Sequence, residues 1–273
     1  MKRHGLRSVL VFRLRAALAA IGHWARTQLR FPLALLAAGW GVMLDGVRPS
    51  SWRRTARAEF RRTLRQAAGG GLVSTLFTAA LAGLAMVSQA LYWLGLTGLD
   101  RLTGGLIVTI LLREVTPVLV GLILLGRSGM LSVTELGALA TGGQLRSLIG
   151  QGIDPFSLLV MTRSLALAVS GFTLGIAFAM GALFVGFLFS SLLGSIQGSL
   201  WRFIDEVLTA MTAADYVAIP LKLLFVGFVV GLSSCLTGLE AAPEEDQSVL
   251  MPRGFARGIL AVMTVNIAFT AIG

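Results

Sequence analysis

An arginine and a glutamate stand side by side, Arg113–Glu114, inside a run from Gly104 to Gly126 that is otherwise almost wholly apolar (GGLIVTILLREVTPVLVGLILLG). A membrane-spanning helix needs about 20 such residues, and this run supplies them. On insertion scales each charge at a helix centre costs about 2.5–3.5 kcal/mol. Charges in that position persist only where they face protein, water or a polar substrate. The guanidinium of Arg113 is a planar fork of donors suited to a phosphate or a carboxylate. Glu114 can neutralise or orient it, or the two can form a buried ion pair that only fixes helix packing. Lys222 is another cation, near the start of a different apolar run. It either faces the same interior or carries its ammonium out to the membrane interface. Pro117, within the Arg–Glu run, removes a backbone donor and bends its helix, which is tolerated where neighbours repair the loss.

Other chemistries lack their residues. The lysines are Lys2 and Lys222, and neither follows a glycine, so a phosphate-cradling Gly-Lys-Ser/Thr loop is excluded. No Gly-x-Ser-x-Gly elbow occurs. His4, His23 and the single cysteine, Cys235, are too scattered for a metal site or a Cys/His nucleophile. No catalytic residue, no metal and no cofactor bound by this chain is therefore expected. If ATP is used, another chain must hydrolyse it.

The elements that position these residues read as membrane helices. Charged residues make up 13% of the 273 and hydrophobic ones 55%, with a mean hydropathy of +0.82. An ordinary soluble domain carries about 25% charged residues. The net charge of +10 is not a nucleic-acid signal. Fourteen of the 23 Lys and Arg fall in residues 1–65, interleaved with Leu, Ala, Trp and Phe, as in a cytoplasmic arm lying against lipid.

The expected fold is an all-α integral membrane protein. A basic interfacial segment, residues 1–67, precedes a transmembrane domain, residues 68–273. Residues 6–30 mix arginines and apolar residues at a helical period, as an interfacial helix does. Residues 31–44 are too short to span and suggest a half-inserted helix. Arg48 to Arg65 reads as an amphipathic helix with Trp52 and Phe60 at the membrane surface. Five spans follow, at about 69–94, 104–126, 158–189, 217–239 and 254–272. The polar interlude 127–156 contains a short helix between glycine breaks, and residues 190–214 a surface helix. Gly171-x-x-x-Gly175 and the Gly227/Gly231 pair would allow close helix contact. With the basic arm cytoplasmic, Arg127, Arg146, Arg163, Arg253 and Arg257 flank inner loops, in keeping with the positive-inside rule.

The run LLREVTPVLVGLILLGRSGMLSVTELGALATGGQLRSLIGQGIDPFSLLVMTR resembles the MlaE (YrbE-type) family, the permease subunits of ABC-type lipid transporters that work with MCE proteins. The resemblance rests on Arg113, Glu114 and Pro117, on Gly126, Arg127 and Gly129, and on Glu135, Leu136 and Gly137. Gln144 and Leu145 follow, then Ile153, Asp154 and Pro155. A looser match in span order takes in Lys222 and the TGLEAAP stretch. Val115–Thr116 stands for a Leu-Gly of the pattern, Gly142–Gly143 for a Thr-Glu, and Asn266 where an acid is expected. Glycines inside a helix weaken it by about 1 kcal/mol each relative to alanine.

The resemblance implies a multi-pass permease in the bacterial inner membrane, N-terminus cytoplasmic, that serves outer-membrane lipid asymmetry. A homo- or heterodimer of permeases would enclose a phospholipid cavity, with a periplasmic MCE protein above and a separate ABC ATPase below. Arg113, Glu114 and Lys222 would belong to the cavity. Glu135, Gln144, Leu145 and Arg146 would form the ATPase-coupling element. A non-transporting membrane scaffold and an ion-driven secondary transporter are the rival readings. The second would want more intramembrane carboxylates than Glu114 alone.

Overall fold

The computed structural model describes residues 30–97, 106–192, 199–242 and 246–272. Apart from Arg30, the interfacial helix expected over residues 6–30 lies outside them.

Every regular element among the described residues is helical. The first helix, α1, runs from Arg30 to Val47, most of it in a unit that ends at Gly41; the rest of the chain forms a second unit from Val42. A 3-10 turn (Pro49–Ser51) leads to α2 (Arg54–Leu64), which continues through a π-helical turn (Arg65–Gly69) into α3 (Gly70–Thr97). A π-helical stretch (Ile107–Val115), α4 (Thr116–Leu124), a second π turn (Leu125–Gly129) and α5 (Met130–Thr141) make the next column. The short α6 (Gln144–Gly150) follows, and then a π stretch (Phe156–Met161) leading into α7 (Thr162–Leu192). The remaining helices are α8 (Leu200–Ala210), α9 (Asp215–Leu239) and α10 (Gln247–Ile272).

The five expected spans are present, but among the described residues six helices are long and apolar enough to cross a membrane. The addition is α1. Residues 31–44 alone are too short to span, but the helix takes in Arg30 and runs through Asp45 to Val47. The inner interlude is also shorter than expected. Glycines at 126 and 129 do not break the helix there, because a π turn absorbs the irregularity and the column continues to Thr141. The expected domain boundary near residue 67 falls inside a continuous column running from Arg54 to Ala90.

Several small hydroxyl side chains inside these columns are satisfied by their own helix. Thr75, Ser132, Ser170 and Thr237 each donate to the carbonyl one turn back, at 2.8–2.9 Å. This is how small hydroxyl residues sit in apolar surroundings without an unpaired group. Large apolar side chains face outward instead: Val73 and Phe77 on α3, Met180 and Phe184 on α7, Leu260 and Ile267 on α10 are all exposed. Lipid accepts such a surface where water would not.

Helix α9 is the most enclosed span, and α7 packs along it. Glycines set that approach. A Cβ on Gly171 would lie 2.8 Å from the Leu223 carbonyl oxygen, and one on Gly231 2.7 Å from Ser164 Cα. On Gly227 it would strike the backbone of Leu167. Both glycine pairs noted in the sequence thus meet across one helix–helix seam. Gly83 and Gly186 do the same between α3 and α7, where a Cβ on Gly83 would collide with the Ala182 carbonyl. Phe178, Leu174, Leu167 and Val230 fill the space beside these seams.

The Gly142–Gly143 pair does not weaken a helix from within. Gly143 takes a left-handed backbone, φ 72°, and separates α5 from α6. Only glycine adopts that conformation freely. At the other end of this loop Asp154 accepts hydrogen bonds from the Phe156 and Ser157 amides, both at 3.1 Å, and from the Ser157 hydroxyl at 2.7 Å. Partial burial pushes the Asp154 carboxyl up, but these donors outweigh it and hold it below its ordinary value.

Gly227→Ala should destabilise the protein by about 1–3 kcal/mol through overpacking of the α7–α9 seam. Gly69→Ala, where a Cβ would meet nothing within 4 Å, should stay within about 0.5 kcal/mol of the parent. Thermal unfolding of both variants in detergent or nanodiscs measures the difference.

Candidate functional site

The Arg113–Glu114 pair sits on the π-helical stretch, six residues after its first residue, Ile107, and so towards one end of its column rather than at the centre. The π geometry has a visible cause. In an α-helix the amide of residue 117 would donate to the carbonyl of Arg113. Residue 117 is a proline and has no N–H. The Thr116 amide instead reaches back five residues to Leu111, whose carbonyl also accepts from the Thr116 hydroxyl at 2.8 Å. Lys222 Nζ then donates to the Arg113 carbonyl oxygen at 2.7 Å. A lysine on α9 thus supplies a donor that the proline withholds.

The charges pair crosswise between two helices. Arg113 binds Asp215 through two nitrogens, Nε to Oδ1 at 2.6 Å and Nη2 donating to Oδ2 at 2.6 Å. Asp215 also accepts from the Thr212 amide and hydroxyl, each at 2.8 Å. Glu114 lies 3.3 Å from Lys222 Nζ. It also accepts from Asn266 Nδ2 at 2.7 Å and from the Thr270 hydroxyl at 2.8 Å. Two cations and two anions are therefore held in one neutral cluster, which limits the cost of placing them among apolar helices.

Exposure separates these groups. The side chains of Asp215 and Lys222 are 6% exposed, and those of Arg113 and Glu114 35%. The α9 residues are the buried supports, and the Arg–Glu pair is the accessible face. With Nε and Nη2 engaged by Asp215, the other edge of the guanidinium, Nη1, is turned away from that pairing. A fixed arginine with one edge free can receive a phosphate or carboxylate without first being ordered.

Lys222 does not extend to an interface; it is buried, against Arg113, Glu114 and Thr270. Pro117 shapes the backbone of the cluster. The residues expected to couple to an ATPase divide. Gln144, Leu145 and Arg146 lie on α6, which buries none of its residues. Glu135 lies on α5 inside the column, where its carboxylate meets Arg163 at 2.7 Å. It is thus turned towards another helix of the bundle.

Asp215 escaped sequence reasoning because it lies just before an apolar run. A signal existed: Asp215 and Lys222 are seven residues apart, on one face of a helix. Their acid–base order complements the adjacent Arg113–Glu114. Thr270 carried no signal. Asn266 had been noted only as standing where an acid was expected. An acid there would place a second negative charge beside Glu114, whereas the amide donates to it.

An all-α bundle with several membrane-crossing helices, and a neutral polar cluster set in one half of it, defines a multi-pass membrane protein built around an internal polar site. The family described as Permease MlaE matches residues 60–272, and the chain belongs to that family. The chain is also similar to the chloroplastic protein TRIGALACTOSYLDIACYLGLYCEROL 1 of Arabidopsis thaliana, 28% identical over 190 residues, covering 69% of this chain and 52% of that one. It is similar to a probable ABC transporter permease protein of Synechocystis sp., 29% identical over 190 residues, covering 67% of this chain and 70% of that one. The chain thus spans about half the length of the first of these relatives.

Asp215→Asn should destabilise the protein by about 1.5–3 kcal/mol, the usual worth of a hydrogen bond to a charged group, because Arg113 loses its counter-charge. The double replacement Arg113→Met/Asp215→Leu should cost less, since no unpaired charge remains. Thermal unfolding of both in nanodiscs measures the order.

Proposed function

We propose that this chain is the permease subunit of an ABC-type lipid transporter. It pairs with a second permease chain around a phospholipid-binding cavity in a bacterial inner membrane. ATP is hydrolysed by a separate cytoplasmic ATPase, and lipid is exchanged with an MCE protein on the far side. Family membership supports the permease role. One relative is named as an ABC transporter permease and the other after a glycerolipid.

The observation that carries the lipid reading is the half-open Arg113–Glu114 face of an otherwise neutralised cluster, set among apolar helices. A phospholipid offers an anionic phosphate and apolar tails. The free edge of the Arg113 guanidinium suits the phosphate, and the surrounding leucine and valine faces suit the tails. Glu114, Lys222 and Asp215 keep the arginine in place and the site near neutrality, so that a headgroup can also leave. The exposed α6, with Gln144, Leu145 and Arg146, is the element through which an ATPase would act. The arginines of Arg48 to Arg65 support a cytoplasmic position for that end of the bundle under the positive-inside rule.

The test is purification of the complex in mild detergent, with identification of bound chains and mass spectrometry of bound lipid. Co-purification of an ATPase and a phospholipid is expected. Arg113→Ala should lower phospholipid occupancy about tenfold, the worth of one charge-assisted hydrogen bond, while membrane insertion is kept. Undiminished occupancy rules out the headgroup role of Arg113. Alanines at Gln144, Leu145 and Arg146 should reduce ATPase recovery, and normal recovery rules out docking through α6.

A further inference from the structure

A second charge cluster lies at the opposite end of the bundle. Arg163, at the start of α7, is 5% exposed. Its Nη2 lies 3.0 Å from Glu59 on α2 and 2.7 Å from Glu135 on α5. Arg62 on α2 completes a square, 3.9 Å from each of the same carboxylates. The group is neutral and closes over a small polar gap lined also by Gln66 and Ser128. Glu135 is 22 residues beyond Arg113 on one column, about 30 Å away at 1.5 Å per residue. The two clusters therefore share no side chain.

Three helices, α2, α5 and α7, are tied together here by charge. α5 leads directly, across the Gly142–Gly143 break, to the exposed α6. α2 leads directly into the spanning helix α3. A π-helical segment adjoins the cluster on each column: Gln66 lies in Arg65–Gly69, Ser128 in Leu125–Gly129, and Arg163 two residues after Phe156–Met161. Segments of this kind are points where a helix can change register or bend. A stiff ionic joint set among bendable turns passes displacement of one helix to the next.

Resting on the permease reading above, we propose that Glu59, Arg62, Glu135 and Arg163 form a transmission clasp. It makes the basic helix α2, and with it α3, follow movements that an ATPase imposes on α6 and α5. These are positioning residues: none reaches the Arg113 site, and Glu135 acts through Arg163 rather than by touching the ATPase. The clasp converts a push at α6 into a change in the wall of the bundle. Without it α6 still docks and the Arg113 site still binds, but the two no longer move together.

The test uses the whole complex in proteoliposomes containing a fluorescent phosphatidylglycerol, with ATP hydrolysis and lipid transfer measured together. The variant Glu59→Leu/Glu135→Met/Arg163→Met removes three of the four charges together and leaves only Arg62, which is 66% exposed, so that no buried ion is left unpaired. It should keep ATPase recovery and phospholipid occupancy. Lipid transferred per ATP should fall about fivefold or more, the range of ordinary coupling energies. Arg163→Lys keeps the charge, but its ammonium ends short of the Nη2 position that meets both carboxylates, and it should fall in between. It also serves as the reporter if the triple variant does not fold. Transfer per ATP equal to the parent in either folded variant overturns the proposal. If the parent complex itself yields no ATPase or no phospholipid, the permease reading fails, and the clasp as a coupling device fails with it.

Discussion

An ionised side chain among apolar helices must find its counter-charge inside the same protein, and most of this structure follows from that requirement. Asp215 and Lys222 are closed off from solvent, and Arg113 and Glu114 are only partly exposed. Each is matched within hydrogen-bonding distance, cation to anion, between the π-helical stretch and α9. The same rule holds at the other end, where Arg163 serves Glu59 and Glu135 together. Neutral clusters at two depths, joined by apolar columns, allow a chain with so few charges to place several of them inside a membrane.

Close packing serves the same end. Glycines at 171, 227 and 231 let the backbones of α7 and α9 approach closely, and Gly121, on the Arg113–Glu114 column, lies against Val226 of α9, where a Cβ would come within 2.6 Å of its Cγ1. Pro117 adds a local device. By withholding one amide it leaves the Arg113 carbonyl for Lys222, so the backbone irregularity and the charge cluster stabilise each other. The cost of the π-helical backbone is offset by a charged hydrogen bond. The pairing in turn orients the arginine edge on which the proposed lipid contact depends.

Much of this was legible in the sequence. The helical class, the order of the spans, the Arg113–Glu114 pair, Pro117 and Lys222 stood out because each is costly in an apolar run. What was missed has physical reasons. Residues 127–141 read as part of a polar interlude holding only a short helix, because Ser128, Ser132 and Thr134 lower the hydropathy and glycines stand at 126 and 129. Their hydroxyls are satisfied by the helix itself or lie in polar gaps, so the helix continues. α1 reads as too short when residues 31–44 are counted alone; the helix includes Arg30 and keeps its backbone bonds through Asp45 to Val47. Gly142–Gly143 looked like a defect in a coupling helix and is the break that separates α6 from α5.

The sequence by itself determined the class of protein and which residues were too costly to be idle. Hydrophobic length and isolated charge are local quantities, read one segment at a time. Only the tertiary structure decided the partners: Asp215 for Arg113, Asn266 and Thr270 for Glu114, Glu59 and Glu135 for Arg163. Those pairs are separated by up to 156 residues. Their identity depends on how deeply each helix sits against its neighbour, which no single segment contains. It is set by where glycine lets two backbones touch and by which charges then lie opposite one another.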